Sequence, residues 1–288
     1  MVVGVGLALS CGGDGPLSPT SAFVQSLRVV AGDTGEPVEG AQVVLGGRAY
    51  TSSTAGEVTL DAETGAAGAV RVDSAGFLLR ETVASRANAD AITLWPLRGT
   101  YSEDYVRALL YKPSDTTRRE ASPMPDQPLM RVTASRVSLV PSVTMRADAE
   151  AMDTMRRAVA VMNDATEGVV AFTLDDTPAA SVTFRMLFDE DVRDGAFTYR
   201  TLRGHTIVGG RIVFSNRGTF RPARDVRYVV HELGHALGLQ HSVVATDMMY
   251  YTAHLTSPEE FTPAERLTIK LLLQRSPGNV FPDRDPQN

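Results

Sequence analysis

The stretch that decides the fold reads His-Glu-Leu-Gly-His-Ala-Leu-Gly-Leu-Gln-His and covers residues 231–241. Apolar residues recur in and before it at steps of four, three and four, namely Val226, Val230, Leu233 and Leu237. This spacing predicts an amphipathic helix, and Pro222 suits its first turn. Gly238 can adopt the positive φ that ends a helix, so the chain can turn back toward the helix at this point.

The histidines of this stretch have the spacing of metal ligands. His231 and His235 lie one helical turn apart, with Cβ atoms about 5–6 Å from each other, so both imidazoles can reach one tetrahedral metal ion. After the turn His241 can return as a third ligand, and the carboxylate of Glu232 can lie beside the metal. Three neutral nitrogens with one open position are typical of a catalytic zinc site.

The same residues resemble the signature of the metzincin zinc peptidases, in which three histidines at this spacing are followed by a methionine turn. Met249 comes after His241 and is assigned to that turn, with Met248 as the alternative register. Ser242 follows the third histidine, as it does in matrixins. The resemblance covers roughly residues 131–275 and implies an α+β catalytic domain with a twisted sheet and three helices.

The resemblance also implies an activity. A zinc-dependent endopeptidase of this kind hydrolyses protein or peptide substrates through a zinc-bound water, which Glu232 activates as the general base. The extended substrate pairs with an exposed strand edge, for which residues 207–214 are the candidate. Residues 250–257 are expected to line the specificity pocket. Tyr251 is a candidate catalytic residue, because a tyrosine at this offset hydrogen-bonds the oxyanion in astacins and serralysins; the alternative is an aromatic wall of the pocket.

One zinc ion per chain is predicted. Matrixins commonly hold a structural zinc with further histidines, but only His205 and His254 remain outside the motif. The acidic loop 189–191 is the candidate for calcium. Its spacing departs from the EF-hand template at Arg193, which favours an ordinary solvated loop and leaves calcium binding open.

The rest of the catalytic segment has a periodicity that predicts further elements. Period-two alternation predicts strands at residues 131–140, 182–188 and 207–214. A helix is predicted over residues 147–163, where an apolar stripe faces the core: Met152, Met155, Val159 and Met162. Thr262 and Glu265 have the spacing of a capping box and begin the third helix.

Residues 23–97 alternate with period two between short turns and contain no helical stretch. This pattern predicts about six or seven strands in a small all-β antiparallel sandwich. The segment resembles the carboxypeptidase-regulatory-like domains, which have a transthyretin-like sandwich. The resemblance rests on Gly35, Pro37, Val38, Gly40, Ala41, Val43, Leu45, Thr51, Gly56, Val58, Gly76 and Phe77. A spacer or adhesion role is expected, since the segment contains no histidine.

Residues 1–22 predict a signal segment followed by a flexible linker. Residues 1–10 are apolar or small, and Ala8-Leu9-Ser10-Cys11 resembles the lipobox of bacterial lipoproteins. Lipidation of Cys11 would place the exported protein at the cell surface or facing the periplasm. The alternatives are a plain signal peptide on a secreted protein, or a buried free thiol.

Composition and the remaining segments complete the prediction. The 288 residues carry a formal net charge of −6, which argues against nucleic-acid binding. No apolar run is long enough for a transmembrane helix, so membrane attachment is expected only through the lipid anchor. Residues 98–130 have the composition of a connector and 276–288 that of a tail, so a fragment starting near Arg131 is expected to fold alone. The oligomeric state is left open.

The sequence therefore predicts an exported zinc metalloendopeptidase with an N-terminal β-sandwich and a C-terminal metzincin domain. Two other functions fit the same residues. One is a surface binding or adhesion lipoprotein with a catalytically inactive metzincin domain, and the other is a zinc hydrolase that acts on a non-peptide amide.

Overall fold

The computed structural model describes residues 26–61, 68–84, 91–113, 125–192, 195–217, 221–251 and 259–286. The signal segment and Cys11 lie outside the described residues. The N-terminal part contains strands β1 (Ser26–Ala31), β2 (Gln42–Leu45), β3 (Arg48–Thr51), β4 (Glu57–Thr59), β5 (Gly68–Asp73), β6 (Arg80–Ala84) and β7 (Ile92–Leu94).

These strands form two sheets, with orders β4-β1-β7 and β3-β2-β5-β6. The period-two pattern buries one face of each strand: in β2, Val43 and Leu45 are buried while Gln42 and Val44 are exposed. The pairs are antiparallel except for β1 and β7, which run parallel. This parallel pair differs from the antiparallel arrangement that the sequence predicts. The division of the chain into two domains stays a prediction.

The C-terminal part mixes helices and strands. Its elements are α1 (Glu103–Leu110), β8 (Arg136–Pro141), α2 (Val143–Arg146), α3 (Ala149–Ala165), β9 (Ala171–Leu174), β10 (Val182–Asp189), β11 (Ala196–Arg203), β12 (Thr206–Ser215), α4 (Val226–Leu237) and α5 (Pro263–Gln274). One five-stranded sheet has the order β11-β12-β10-β8-β9. Only β11 runs antiparallel to its neighbour, and it forms an edge of the sheet.

Helices α3 and α4 pack on each other. Helix α3 also packs on β9, and α4 packs on β11 and β12. The predicted stripe on α3 faces the core: Met155 and Met162 are fully buried, and Met152 and Val159 pack at its margin. Helix α5 begins with the predicted capping box of Thr262 and Glu265. Strands β9 and β11 are additions that the sequence did not predict.

The segment expected to be a connector contains helix α1. Ser102 caps it, and five of its eight residues are buried. Tyr105, Leu109 and Leu110 belong to the same core cluster as the residues of α3 and α4. The segment is therefore an integral part of the C-terminal core rather than a spacer.

The two parts of the chain also share buried contacts. Leu78 and Trp95 belong to the core cluster of the C-terminal part. Arg275 forms an ion pair with Asp283, with Nη2 to Oδ2 at 2.7 Å, and Arg80 of β6 reaches the same carboxylate with Nη1 at 2.9 Å. Arg275 also donates to the Thr93 hydroxyl of β7 at 2.8 Å. These shared contacts argue against the expected independence of a fragment starting near Arg131.

None of the helices in the described part of the chain is long and apolar enough to cross a membrane.

Candidate functional site

Helix α4 positions the first two histidines. It starts at Val226, because Asp225 caps it by accepting a hydrogen bond from the Arg227 backbone N–H at 3.0 Å. Pro222 lies in a short 3-10 turn before the helix, residues 222–224, rather than in its first turn as the sequence suggested. The apolar face of α4 is buried in the core, which orients His231 and His235 on the side that faces the cleft.

The third histidine returns through a turn that requires glycine. Gly238 ends α4 with φ of 135°, and a Cβ at this position would overlap the carbonyl oxygen of Met130. The following backbone is tied to α1, because the N–H of Gln240 donates to the carbonyl of Leu109 at 2.8 Å. The turn then brings His241 opposite the helical histidines.

The three imidazoles converge through their Nε2 atoms. Nε2 of His235 lies 3.1 Å from Nε2 of His231 and 3.1 Å from Nε2 of His241, and the third side of the triangle is 3.3 Å. Nitrogens bound at 2.0–2.1 Å around a tetrahedral zinc are separated by roughly 3.3–3.4 Å. The triangle therefore fits a zinc ion with almost no rearrangement, and it is the one candidate metal cluster among the described residues.

Backbone carbonyls fix the orientation of two ligands. Nδ1 of His231 lies 2.9 Å from the carbonyl oxygen of Met248, and Nδ1 of His235 lies 2.9 Å from that of Leu239. Each Nδ1 must carry the proton to donate to a carbonyl, so each Nε2 presents its lone pair to the metal.

Burial keeps all three ligands neutral. Desolvation lowers the pKa of His231, and lowers that of His235 well below its usual range with help from the neighbouring imidazoles. The pKa of His241 is lowered to about 3, by burial first and by His231 second. Neutral imidazole is the form that binds zinc, so the fold prepares the ligands for the metal.

Glu232 lies beside the triad in a buried position. Burial raises the pKa of its carboxyl to about 7, and a hydrogen bond from Thr198 opposes this shift. Oγ1 of Thr198 lies 2.6 Å from Oε2 and 2.9 Å from the carbonyl oxygen of Glu232, so the hydroxyl donates chiefly to the carboxylate. A carboxyl in this state can both accept and release a proton near neutral pH.

The turn that contains Met248 and Met249 packs against α4. Met249 is fully buried, and a Cβ on Gly234 of α4 would overlap its sulfur. The side chain of Met249 thus lies against the helix between the two histidine ligands, while Met248 contributes the carbonyl that binds His231. This placement favours Met249 over Met248 as the methionine of the turn.

A buried network of carboxylates holds that turn in place. Glu265 accepts hydrogen bonds from the backbone N–H groups of Met249, Met248 and Thr262 at 2.7, 3.2 and 2.8 Å. Asp247 accepts hydrogen bonds from Ser242 at 2.5 Å and from Tyr105 at 2.6 Å. Through these hydrogen bonds, α1 is linked to Ser242, to the turn and to α5.

The exposed edge of the sheet beside α4 is not the strand that the sequence suggested. Strand β12, which contains residues 207–214, is paired on both sides, with β11 and with β10. Strand β11 forms the edge of the sheet and packs against α4. The strand that can pair with an extended substrate is therefore β11.

The structure describes only some of the remaining predicted residues. Tyr251 is 59% exposed and its ring packs on Tyr250, with centroids 4.6 Å apart. The acidic loop 189–191 is surface-exposed at Glu190 and Asp191, and the Asp191 N–H donates to the Asp189 carboxylate. His254 and the pocket residues 252–257 lie outside the described residues.

Sequence reasoning missed Thr198, Arg200 and Asp247. Thr198 and Arg200 lie on β11, where the side chains that face α4 are polar. The strand therefore lacks the alternation of apolar and polar residues by which a strand is predicted. Asp247 lies between the third histidine and Met249, and its distance from α1 in the sequence hides its hydrogen bond to Tyr105.

Comparison with known proteins agrees with this geometry. Residues 143–266, which include α3, β9 to β12, the three histidines and the start of α5, match the family model for matrixins. No curated protein matches the chain. The match supports a matrixin-like zinc metallopeptidase domain in this part of the chain, with His231, His235 and His241 as its candidate metal ligands.

Proposed function

We propose that this protein is a zinc endopeptidase in which Glu232 is the general base. The observation that carries the proposal is the position of Glu232, a buried carboxyl next in sequence to one of three converging histidines and held by Thr198. A structural zinc site has four protein ligands, whereas this cluster offers three among the residues that the structure describes.

When bound, zinc supplies a Lewis acid that polarises the scissile carbonyl and lowers the pKa of a bound water. Glu232 accepts the proton of the attacking water and passes it to the leaving amine. Thr198 keeps one carboxylate oxygen in place, so the other oxygen is available for the proton. The substrate lies extended along β11, where its backbone completes the sheet.

The test is the Glu232→Gln variant, with Glu190→Gln as a matched control in an exposed loop. We expect Glu232→Gln to lose about 10²–10⁴-fold or more in kcat on a casein-derived fluorogenic peptide, because the base is removed while the ligands stay. Zinc content, measured by mass spectrometry, should remain one per chain in both variants. Glu190→Gln should cleave like the parent protein.

Other results would favour the other functions. Cleavage of peptides that survives in Glu232→Gln would contradict the role of this residue. Zinc-loaded protein that cleaves no protein or peptide would indicate an adhesion protein with an inactive domain. Hydrolysis confined to non-peptide amides would indicate the third function.

We also propose that Tyr251 hydrogen-bonds the oxyanion of the reaction. The proposal is supported by the position of Tyr251, two residues after Met249, and by its exposed side chain, whose ring packs on Tyr250. Removing the hydroxyl in Tyr251→Phe should lower kcat about tenfold to a hundredfold, with zinc content and KM unchanged. An unchanged kcat would make Tyr251 a wall of the pocket.

Export and lipidation at Cys11 are proposed on the sequence of residues 1–22 alone. Expression in a bacterial host should yield a mature N-terminus at Cys11 that carries a lipid mass. An unmodified Cys11 in the mature protein would contradict the lipid anchor and leave secretion as the alternative.

A further inference from the structure

Arg200 brings a positive charge without a partner to the substrate-binding edge. Its Nη1 atom is shielded from solvent and has no hydrogen-bond partner among the described residues. Burial lowers the pKa of the guanidinium, and no carboxylate of the described chain opposes this shift. A buried charge without a partner is unfavourable for folding, so its presence needs an explanation.

Two arginines of the described chain, Arg80 and Arg275, are almost fully buried, and both have a carboxylate partner. Arg275 is paired with Asp283 at 2.7 Å, and Arg80 reaches the same carboxylate at 2.9 Å. Both therefore have an anion in the folded chain itself. Arg200 differs because no carboxylate of the described residues forms an ion pair with it.

The position of Arg200 on β11 places its side chain on the same face of the strand as Thr198. Positions along a strand alternate between two faces, so Thr198 and Arg200 point to the same side. Thr198 contacts Glu232 of α4 on that side, and β11 packs against α4. The guanidinium therefore lies on the face of β11 that carries the catalytic site.

The neighbours of Arg200 in the sheet leave one side open. Its partner on β12 is Gly210, which has no side chain to offer a counter-charge. On its other side β11 is the edge of the sheet, where the substrate strand is expected. A side chain opposite Arg200 on the substrate would thus be its cross-strand neighbour.

We propose that Arg200 binds an acidic side chain of the peptide substrate, aspartate or glutamate, about two residues along the chain from the position opposite Thr198. This inference rests on the proposed endopeptidase function and names its substrate class as peptides with an acidic residue near the scissile bond. Two residues of an extended chain span about 6.6 Å, so one peptide can contact Glu232 and Arg200 together. A guanidinium can hold a carboxylate through two parallel hydrogen bonds.

The test uses fluorogenic peptides in which a single glutamate is moved through the three positions on each side of the cleaved bond. Each peptide has a glutamine counterpart. The parent protein should prefer glutamate at one position by about tenfold to a hundredfold in kcat/KM. Arg200→Gln should abolish that preference, and Arg200→Glu should replace it with a preference for lysine.

The matched control is Arg211→Gln, which removes the same charge from the opposite face of the sheet. Arg211 lies over the ring of Tyr199, 4.5 Å from its centroid, and both are exposed. This variant should keep the glutamate preference. Loss of the preference in Arg211→Gln as well would mean that overall charge, rather than Arg200, selects the substrate.

The outcomes separate this inference from the proposed function. Equal cleavage of every glutamate and glutamine pair would overturn the acidic subsite and leave the endopeptidase intact. If no peptide is cleaved, the endopeptidase proposal fails, and the affinity of the labelled peptides, measured by fluorescence anisotropy, decides the subsite. Tighter binding of a glutamate peptide that Arg200→Gln abolishes would support it, and equal affinities would overturn it.

Discussion

The hydroxyl of Thr198 lies 2.6 Å from Oε2 of Glu232, so the edge strand of the sheet directly holds the proposed general base. Thr198 is half-buried on β11, 34 residues before Glu232 in the sequence. The same strand is the one along which we expect the substrate to lie. Binding of substrate and orientation of the base therefore depend on one element.

Replacing Thr198 with valine should lower kcat by about tenfold while KM and zinc content change little. Valine has nearly the same shape, so the variant removes the hydrogen bond and leaves the packing, and one hydrogen bond to a charged group is worth about 1.5–3 kcal/mol. Steady-state kinetics on a fluorogenic peptide measures the effect. Thr198→Ser keeps a hydroxyl and should restore most of the activity. Failure of serine to restore it would indicate that the methyl group, rather than the hydrogen bond, matters.

Gly234→Ala should weaken zinc binding, because the new methyl group would overlap the sulfur of Met249. The buried side chain of Met249, or the turn that carries it, must then shift beside the histidines, and overpacking of this kind costs about 1–3 kcal/mol. Competition for zinc against a fluorescent chelator, together with thermal unfolding, measures both effects. Gly68→Ala is the control, since a Cβ there meets only Leu45 at 3.7 Å. Equal zinc affinity in the two variants would contradict the role of this contact.

Local signals in the sequence predicted α4 and α5, but the sequence did not predict the contacts between distant residues. The apolar spacing of α4 and the capping box of Thr262 and Glu265 each depend on residues within one or two helical turns of one another. On β11 the pattern is inverted, since Phe197 and Tyr199 are exposed while Thr198 points to α4. An apolar pattern cannot identify a strand whose inward side chains serve a polar site.

A fragment starting at Arg131 should fail to fold, since it lacks α1. Tyr105 donates to Asp247 at 2.6 Å, and Tyr111 donates to Asn279 at 2.6 Å, both in buried positions. The fragment would leave these acceptors without their partners and would expose the core that α1 covers. Circular dichroism and thermal unfolding of the fragment and of the whole chain provide the measurement. A soluble fragment with cooperative unfolding near that of the whole chain would contradict this expectation.

Tyr105→Phe isolates one of these contacts in the whole chain. It removes only the hydroxyl, so the Asp247 carboxylate keeps Ser242 and Thr262 as donors. We expect a loss of about 1.5–3 kcal/mol in the free energy of unfolding, because a buried hydrogen bond to a carboxylate is lost. Urea denaturation measures the change. A difference below about 0.5 kcal/mol would show that the hydrogen bond between Tyr105 and Asp247 contributes little to stability.

The stability of the metal-free protein should depend on pH through Glu265. Burial first, and the charge of Asp247 second, raise the pKa of Glu265 from 4.5 to about 7. Between these two values the folded chain keeps a proton on this carboxyl that the unfolded chain has released. The free energy of unfolding must therefore fall as the pH rises through this window, by at most about 1.4 kcal/mol per pH unit for one group. Below pH 4.5 the Glu265 carboxyl adds no further change.

The measurement compares Glu232→Gln with Glu232→Gln/Glu265→Gln, because Glu232 has a pKa raised in the same direction. Urea unfolding in the presence of a chelator, at pH values from about 5 to 7.5, gives the slope for each variant. The slope of the unfolding free energy against pH should be less negative in the double variant across this window. Histidines and other groups contribute equally to both proteins, so the difference in slope reports Glu265. Glutamine also loses one of the acceptor oxygens that bind the turn, so the double variant should be less stable below pH 5, where Glu265 is neutral. Parallel slopes in the two variants would mean that the three backbone N–H groups around Glu265 keep its pKa near the ordinary value.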